Sequence, residues 1–322
     1  MKDFSGKIAV ITGGGTGMGR ALARQLVAEG CNVAMCDVSA ANMAATKTLC
    51  EAAAVQGTRV STYVADVSDE AAILRFRDAT ARDHDTDRVH LLFNNAGIGG
   101  GGSFVTSERG EWDRTFNVCW GGVYNCSRAF LPMLIAADEA HIVNTSSVNG
   151  FWASLGPQTS HTAYAAAKFA VKGFTESLVT DLRLNAPHVK CSVVMPGHIG
   201  TDIVVNSRKV QSGNESETLD AAGLAQTRKN LAARGLPADA MSDADLQAIS
   251  AEIARRFRDD APTTAEQAVA IILDGVKADR WRILVGHDAH AIDSLVRADP
   301  EEAYEPEFYT RLLEKTAWRI DV

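Results

Sequence analysis

Residues 7–19 read KIAVITGGGTGMG, and this stretch decides the fold. Its first half is apolar and rich in β-branched residues, which predicts a short buried strand over residues 7–11. The glycines that follow permit a tight turn, and a helix is predicted over residues 18–29. Backbone N–H groups at such a turn attract phosphate, because the N-terminus of a helix carries partial positive charge. The stretch therefore predicts a phosphate-binding turn between a strand and a helix.

A second apolar run, residues 32–36, ends at Asp37, which stands 20 residues after Gly17. An acidic side chain at this point can accept hydrogen bonds from the ribose hydroxyls of a dinucleotide, and it repels a 2′-phosphate. Asp37 could instead only cap the following helix, but the strand–turn–helix context favours the dinucleotide. The pattern predicts NAD as the cofactor.

Short apolar runs alternate with longer amphipathic stretches along the first two-thirds of the chain. This alternation predicts an α/β fold with a doubly wound parallel sheet and helices on both faces. The predicted strands are residues 7–11, 32–36, 59–65, 89–93, 141–145, 189–195 and 281–285. The predicted helices are residues 18–29, 40–56, 69–83, 109–136, 163–185 and 264–278. We expect one domain over residues 1–322, with a helical insertion at 202–262 and an extension at 288–322 that either docks or is partly ordered.

The composition limits the possible functions. The chain has 322 residues, of which 46% are hydrophobic, and a net charge of −8. This acidic balance gives no basis for nucleic-acid binding, and no apolar run reaches the ~20 residues of a membrane span. The six cysteines lack metal-ligand spacing, so we expect free thiols, a reducing compartment and no metal. No signal-like segment opens the chain, and a cytoplasmic location is expected.

Further motifs follow the glycine-rich turn in order. The turn has the spacing T-G-x-x-x-G-x-G over residues 12–19, and N-N-A-G stands at 94–97. Y-x-x-x-K stands at residues 164–168, and P-G-x-I-x-T stands at 196–201. Together these motifs resemble the short-chain dehydrogenase/reductase family, of the compact single-domain type, over about residues 5–202 and the last helix and strand. The resemblance implies a Rossmann-like sheet of seven strands and a nicotinamide-dependent oxidoreductase.

The resemblance also implies a set of site residues. The catalytic residues would be Asn117, which holds a water, Ser147, which binds the substrate oxygen, and the pair Tyr164 and Lys168. The cofactor-binding residues would be Gly13, Gly15, Thr16, Gly17, Met18, Gly19, Asp37, Asp66, Val67, Asn95, Ala96, Gly97, Tyr164, Lys168, Pro196, Gly197, Ile199 and Thr201.

Tyr164 and Lys168 also have a chemical rationale. Hydride transfer at an alcohol carbon needs a group that takes or gives the proton of the oxygen. The unperturbed pKa of tyrosine, about 10, is too high for an efficient base at neutral pH. Lys168 stands four residues after Tyr164 on the same helical face, and an ammonium there lowers the tyrosine pKa. The alternative is an amphipathic helix that carries a tyrosine and a lysine by chance.

The serine of the motif set is unusually far from the tyrosine. Ser147 precedes Tyr164 by 17 residues, which predicts a short insertion within residues 149–160. Ser147 keeps the context of the family's serine and is the first candidate. Ser146 is the second candidate, and Ser160 is the third.

Four other features have a less specific interpretation. His161, His198 and His287 could be acid–base groups, but no carboxylate stands near them at ligand spacing. We therefore expect loop or surface roles for these histidines. The glycine run at residues 99–102 is expected to be a flexible loop near the substrate or a surface turn.

The insertion after residue 201 is expected to form a lid over the substrate. It is far longer than the ~2–6 residues of an ordinary strand–helix connection, and long insertions at such places are usually functional. The predicted substrate pocket consists of Phe151, Trp152, Leu155, Ile98 and Val204, with Phe104, Ile203 and Val205 nearby. Such an apolar pocket suits a bulky cyclic, aromatic, terpenoid or steroid-like alcohol or ketone. The alternative is that the insertion packs outside and forms an oligomer interface.

The reaction and the assembly leave alternatives open. The serine, tyrosine and lysine favour a secondary alcohol and ketone pair. The other candidates are a reductase or epimerase on the same scaffold, and a catalytically silent dinucleotide sensor. A homo-oligomer, dimer or tetramer, is predicted from the aromatic residues of helix 109–136, although burial against the sheet could also use them. These residues are Trp112, Phe116, Trp120, Tyr124 and Phe130.

Overall fold

A parallel sheet of seven strands forms the centre of the molecule. The computed structural model describes residues 1–156, 159–216, 218–233 and 235–316. The strands are β1 (Ile8–Thr12), β2 (Asn32–Asp37), β3 (Val60–Val64), β4 (Leu91–Asn94), β5 (Ala140–Thr145), β6 (Val189–Pro196), β7 (Ile199–Gly200), β8 (Thr263–Thr264) and β9 (Arg282–Val285). The sheet order is β3-β2-β1-β4-β5-β6-β9, and β7 and β8 form a separate pair. The predicted doubly wound, seven-stranded α/β fold is confirmed.

Helices cover both faces of this sheet. They are α1 (Gly17–Ala28), α2 (Ala40–Ala53), α3 (Glu70–His84), α4 (Arg109–Phe116), α5 (Gly122–Ile135), α6 (Thr162–Asn185), α7 (Ile203–Ser212), α8 (Ala221–Ala233), α9 (Asp243–Asp259), α10 (Ala265–Lys277), α11 (His287–Ala298) and α12 (Pro306–Lys315). On one face, α1, α2 and α10 enclose a core that includes Leu26 and Val269. On the other, α3, α5 and α6 enclose a core that includes Phe76 and Phe130. All five residues of β1 are buried because both faces are covered.

The strand order places a crevice at the carboxyl ends of β1 and β4. The chain continues from β1 toward β2 and β3 on one side, and from β4 toward β9 on the other. Connections that leave in opposite directions open a crevice at this point, which is the usual binding site of such sheets. The glycine-rich turn follows β1 directly and therefore lies at the crevice.

The predicted helix over residues 109–136 is interrupted. The structure has α4, then a π-helical segment at Asn117–Gly121, and then α5. The prediction of one continuous helix is wrong at this point. A π-helical segment changes which side chains face the sheet, because each turn contains an extra residue.

The insertion after residue 201 contains α7, α8 and α9. It leaves from β7 and returns at β8, and these two strands pair through Ile199 with Thr263 and Gly200 with Thr264. The two ends of the insertion are therefore neighbours. Helices α8 and α9 share a small apolar core of Leu231, Ala238 and Leu246.

The chain after β9 packs back onto the loop that follows β5. Helices α11 and α12 form a buried cluster with Trp152 of this loop, to which Phe308 and Leu312 belong. Residues 317–322 of the predicted extension lie outside the described residues. Within the described part of the chain, no helix is both long and apolar enough to cross a bilayer.

Candidate active site

The glycine-rich turn and Asp37 are joined by hydrogen bonds. The N–H of Gly15 donates to Asp37 Oδ2 at 3.0 Å, and the N–H of Ser39 donates to Asp37 Oδ1 at 3.0 Å. Thr16, at the N-terminus of α1, makes no side-chain capping hydrogen bond. The turn thus presents an uncapped helix N-terminus beside a fixed carboxylate, which fits a phosphate next to a ribose.

The helix that follows the turn packs closely against it. A Cβ on Gly19 would lie 1.9 Å from the carbonyl oxygen of Gly13. Only glycine therefore allows α1 to start at this depth in the crevice. Gly15 and Gly19 are both buried, so they shape the turn and are not exposed to the cavity.

A cavity runs along the crevice past the turn. Most of the predicted cofactor-binding residues line it, together with helix α7. The lining residues are Gly13, Thr16, Gly17, Met18, Asp37, Val38, Ser39, Asn42, Ala65, Asp66, Val67, Asn95, Ala96, Gly97, Ile98, Val118, Thr201, Ile203, Asn206, Lys209, Val210 and Glu215. Val204, which was predicted to line the substrate pocket, is not among them, whereas Ile98 is.

The N-N-A-G motif braces the crevice. The N–H groups of Asn95 and Ala96 both donate to Thr12 Oγ1 at 3.0 Å. Asn94 Nδ2 donates to Asn144 Oδ1 at 2.7 Å and so ties β4 to β5. These bonds hold the carboxyl ends of β1, β4 and β5 at fixed spacing.

Tyr164, Lys168 and Ser147 meet beyond the end of β5. Lys168 is buried, its Nζ donates to the carbonyl of Thr145 at 2.8 Å, and it lies 5.3 Å from the centre of the Tyr164 ring. Burial raises the pKa of the Tyr164 hydroxyl, Cys119 raises it further, and a hydrogen bond with Ser147 lowers it. The net direction is opposite to the predicted lowering, because burial outweighs the polar contacts. Burial also lowers the pKa of Lys168.

The structure separates the three candidate serines. Ser146 Oγ donates to the carbonyl of Lys168 at 2.7 Å and is therefore engaged with the backbone of α6. Ser160 is exposed. Ser147 is the serine that contacts the Tyr164 hydroxyl.

The structure does not join Asn117 to Lys168 by a hydrogen bond. The Asn117 side chain is exposed at the start of the π-helical segment, and its role in holding a water stays a prediction. Cys119, two residues on, is buried and donates to the carbonyl of Ile98 at 3.2 Å. A Cβ on Gly97 would lie 3.6 Å from Cys119 Sγ and 3.5 Å from Lys168 Nζ, so both atoms border the same small space. The sequence pattern did not reveal the π-helical segment.

The predicted pocket residues of the loop after β5 face elsewhere. Trp152 is buried, its Nε1 donates to the carbonyl of Ala303 at 2.7 Å, and Phe151 and Leu155 pack against the same C-terminal cluster. Arg282 of β9 lies over the Phe151 ring at 5.8 Å. The assignment of Phe151, Trp152 and Leu155 to the substrate pocket is therefore wrong, because the C-terminal extension occupies their apolar faces.

Two polar residues lie near the site although the sequence did not indicate it. A loop or surface role was expected for His161, and no role was expected for Asp288. The ring of His161 lies 4.6 Å from that of Tyr164, and burial lowers the pKa of His161 to about 4. The Asp288 carboxylate accepts from the N–H of His198 at 2.6 Å, and a Cβ on Gly197 would lie 2.2 Å from it. The sequence could have indicated His161, because it stands three residues before Tyr164. It could not have indicated Asp288, because Asp288 is 90 residues from its partner His198.

The crevice, the glycine-rich turn, the half-buried tyrosine and the buried lysine define a dinucleotide-binding oxidoreductase. A family model described as short chain dehydrogenase matches residues 7–212. The chain belongs to the short-chain dehydrogenase family, which confirms the resemblance seen in its motifs.

Relatives and solved structures agree with this assignment. The chain is 35% identical to the putative oxidoreductase SadH of Mycobacterium tuberculosis over 297 residues, 92% of each protein. It is 35% identical to the levodione reductase of Leifsonia aquatica over 212 residues, 64% of this chain and 74% of the relative. A short-chain dehydrogenase/reductase from Burkholderia phymatum in complex with NAD is 32% identical, with a TM-score of 0.73 over 94% of this chain and 95% of the other. A metagenomic short-chain oxidoreductase in complex with NADP is 31% identical, with a TM-score of 0.53 over 66% and 93%.

Proposed function

We propose that the protein interconverts a secondary alcohol and a ketone, with NAD as the hydride carrier and Tyr164 as the group that moves the proton. The observation that carries this proposal is the contact of the Tyr164 hydroxyl with Ser147, beside the buried Lys168. A tyrosine needs both a partner for the substrate oxygen and a nearby cation to act in this way. Both are present at the end of β5.

Each residue of this group has a distinct task in the proposed reaction. Ser147 holds the substrate oxygen, because its hydroxyl already hydrogen-bonds that of Tyr164. Tyr164 takes the proton from the alcohol oxygen during oxidation and returns it during reduction. Lys168, fixed by the carbonyl of Thr145, would favour the phenolate form of Tyr164 through its charge and so oppose the burial that raises the pKa of Tyr164. A bound nicotinamide would accept or supply the hydride at the substrate carbon.

Removal of the Tyr164 hydroxyl tests this proposal. Tyr164→Phe should lower kcat/KM by the ~10²–10⁴-fold typical of a lost acid–base group, with NADH affinity nearly unchanged. Turnover of a panel of bulky cyclic secondary alcohols, followed by NADH absorbance, gives kcat/KM, and NADH fluorescence gives affinity. Ser147→Ala should be similarly damaging, while the exposed Ser160→Ala serves as the matched control. Turnover in Tyr164→Phe equal to that of the wild type would refute the proton-transfer role.

The preference for NAD is a proposal based on Asp37. Its carboxylate lines the cavity and is held by two backbone N–H groups, so it would repel a 2′-phosphate. We expect kcat/KM to favour NAD over NADP by ~10–10³-fold, or about 1.4–4 kcal/mol. Asp37→Ala should narrow this difference and keep NAD activity. Equal kcat/KM values for the two cofactors in the wild type would contradict it.

We also propose a bulky, mostly apolar substrate. Apolar side chains from several elements line the cavity, among them Ile98, Val118, Ile203 and Val210. Apolar walls with a few polar groups suit cyclic, aromatic, terpenoid or steroid-like ketones better than small hydroxy acids. Higher kcat/KM for lactate-sized alcohols than for cyclic ones would contradict this substrate class. The acidic composition and six buried free cysteines support a cytoplasmic enzyme.

A homo-oligomer is proposed from the outer surface of α5 and α6. The Trp120 ring meets Phe174 edge to face at 5.4 Å between ring centres and lies 6.2 Å from Tyr124, and Tyr124 and Phe169 remain exposed. Exposed aromatic surface on two long neighbouring helices favours pairing about a two-fold axis. Light scattering at micromolar concentration should give at least a dimer, and Tyr124→Arg should lower the measured mass. A wild-type monomer would refute the assembly.

A further inference from the structure

The charges around the cavity are unbalanced. Three carboxylates line it, those of Asp37, Asp66 and Glu215, and Lys209 is the one cationic side chain among its described lining residues. Asp37 is engaged with backbone N–H groups, and Asp66 Oδ1 accepts from the N–H of Ser68 at 2.8 Å. Lys209 makes no side-chain hydrogen bond or ion pair with the residues that the structure describes. The Lys209 ammonium is therefore available to a ligand in the cavity.

Lys209 belongs to the face of α7 that covers the cavity. Ile203, Asn206, Lys209 and Val210 recur at helical spacing, and all four line the cavity. Asn206 Nδ2 donates to Thr16 Oγ1 at 3.0 Å, so this face lies directly over the glycine-rich turn. Lys209 follows Asn206 by one helical turn.

The far end of α7 is fixed by other bonds. Gln211 Nε2 donates to the carbonyl of Gly99 at 3.2 Å and to Thr115 Oγ1 at 2.8 Å. Arg114 Nη1 donates to the carbonyl of Val210 at 2.8 Å. The helix therefore bridges the crevice from the turn to α4, and Lys209 is held over the cavity between its two attachments.

The glycine-rich turn itself supplies no free cation. Arg20, the nearest basic residue along the chain, donates through Nε to the carbonyl of Gly15 at 3.1 Å and to Thr46 Oγ1 at 2.9 Å. Its guanidinium is thus committed to the backbone of the turn. A dinucleotide diphosphate carries two negative charges, and the turn can offer it only N–H groups and a helix dipole.

We propose that Lys209 binds the diphosphate of the cofactor from the side opposite the glycine-rich turn, so that α7 closes on the cofactor as well as over the substrate. This inference rests on the proposed function, because it takes the cavity to be the dinucleotide site. The same ammonium chemistry would suit the 2′-phosphate of NADP, so the experiment must separate these two phosphates.

Lys209→Met tests the inference, with Lys229→Met as control, since Lys229 is exposed on α8 and does not line the cavity. Affinities are measured by fluorescence for NADH and NADPH and by calorimetry for ADP-ribose, ADP and adenosine at low salt. Lys209→Met should weaken NADH, ADP-ribose and ADP by ~10-fold or more and leave adenosine unchanged. Lys209→Arg should retain most of the affinity, and the salt dependence of NADH binding should be smaller in Lys209→Met.

The outcomes are distinguishable. Unchanged NADH affinity in Lys209→Met, with normal NADH binding by the wild type, overturns the inference and leaves the proposed function intact. A loss confined to NADPH overturns the diphosphate assignment in favour of the 2′-phosphate. A wild-type chain that binds no dinucleotide overturns the proposed function and this inference with it. A thermal melt without ligand checks that each variant is folded.

Discussion

The crevice is bordered by two segments that are held in place by different forces. The wall loop, residues 148–156 after β5, is fixed by apolar burial. Trp152 is 1% exposed and packs against Phe308 at 5.5 Å between ring centres, with the rings tilted. Helix α7, on the opposite border, is half-buried and is attached by polar contacts such as those of Asn206 and Gln211.

This difference predicts different mobility for the two borders. Buried apolar contacts resist opening, because exposing them to water costs free energy in proportion to their area. A side-chain hydrogen bond at a half-buried position contributes little net free energy, because water replaces it on opening. We therefore expect the wall loop to be a permanent part of the framework and α7 to be the segment that opens for the cofactor and substrate.

The largest expected effect comes from removing the indole of the wall loop. Trp152→Ala should lower the free energy of unfolding by ~3–5 kcal/mol, since it leaves a cavity and an unpaired carbonyl at Ala303. Urea denaturation measures this change. Phe104→Ala, at a site that is 78% exposed, is the control and should change stability little. A loss below about 1 kcal/mol in Trp152→Ala would show that the C-terminal extension is not part of the framework.

Acid should destabilise the central sheet through His141 of β5. Burial lowers the pKa of His141 in β5 to about 4, so between pH 6.5 and 4 the unfolded chain binds a proton that the folded chain resists. The free energy of unfolding should therefore be highest above pH 6.5. Protonation of His141 in the unfolded chain should lower it by about 3 kcal/mol toward pH 4. Glu252 of α9 stays ionised in this range, because hydrogen bonds from Arg255 and Arg256 lower its pKa to about 2.

Urea unfolding at several pH values checks this assignment. His141→Asn should flatten the pH dependence, whatever its effect on stability at pH 7. His287→Asn, at an exposed position, serves as the matched control. The assignment to His141 fails if both variants have the slope of the wild type.

The smallest effect on stability is expected on the opposite border. Asn206→Ala removes the hydrogen bond to Thr16 and should cost ~1 kcal/mol or less of unfolding free energy. The same change should speed tryptic cleavage within α7 several-fold, which gel electrophoresis can follow. Asn230→Ala, exposed on α8, is the matched control. If Asn206→Ala lowers the free energy of unfolding as much as Trp152→Ala, the predicted difference in mobility between the wall loop and α7 is wrong.

The features that could be predicted from the sequence are those that depend on residues close together in the chain. The glycine-rich turn, Asp37 and the pair Tyr164 and Lys168 are short patterns whose physical meaning does not depend on distant residues. Ser147 was identified by its local context after β5, despite its unusual distance from Tyr164. Bounds of the strands and most helices followed from hydrophobic runs in the same way.

The errors arose where contacts join distant parts of the chain. Trp152 is a large apolar residue of the kind that lines substrate pockets. Its hydrogen-bond partner, the carbonyl of Ala303, is 151 residues away in the sequence. The place of Lys209 over the glycine-rich turn depends on how α7 crosses the crevice, and no spacing in the sequence encodes this. The burial of Cys119 depends on a π-helical segment, which side-chain periodicity alone did not distinguish from a regular helix.

Because β7 pairs with β8, the insertion could be exchanged as one unit. Its entry and exit are adjacent residues of one short ladder, Ile199–Gly200 with Thr263–Thr264. A segment of different length or composition can therefore replace it without a change in the register of the seven-stranded sheet. Tyr164, Lys168 and the glycine-rich turn all precede this junction, so exchange of this one continuous stretch would keep them in place while it replaced the α7 side chains that line the cavity.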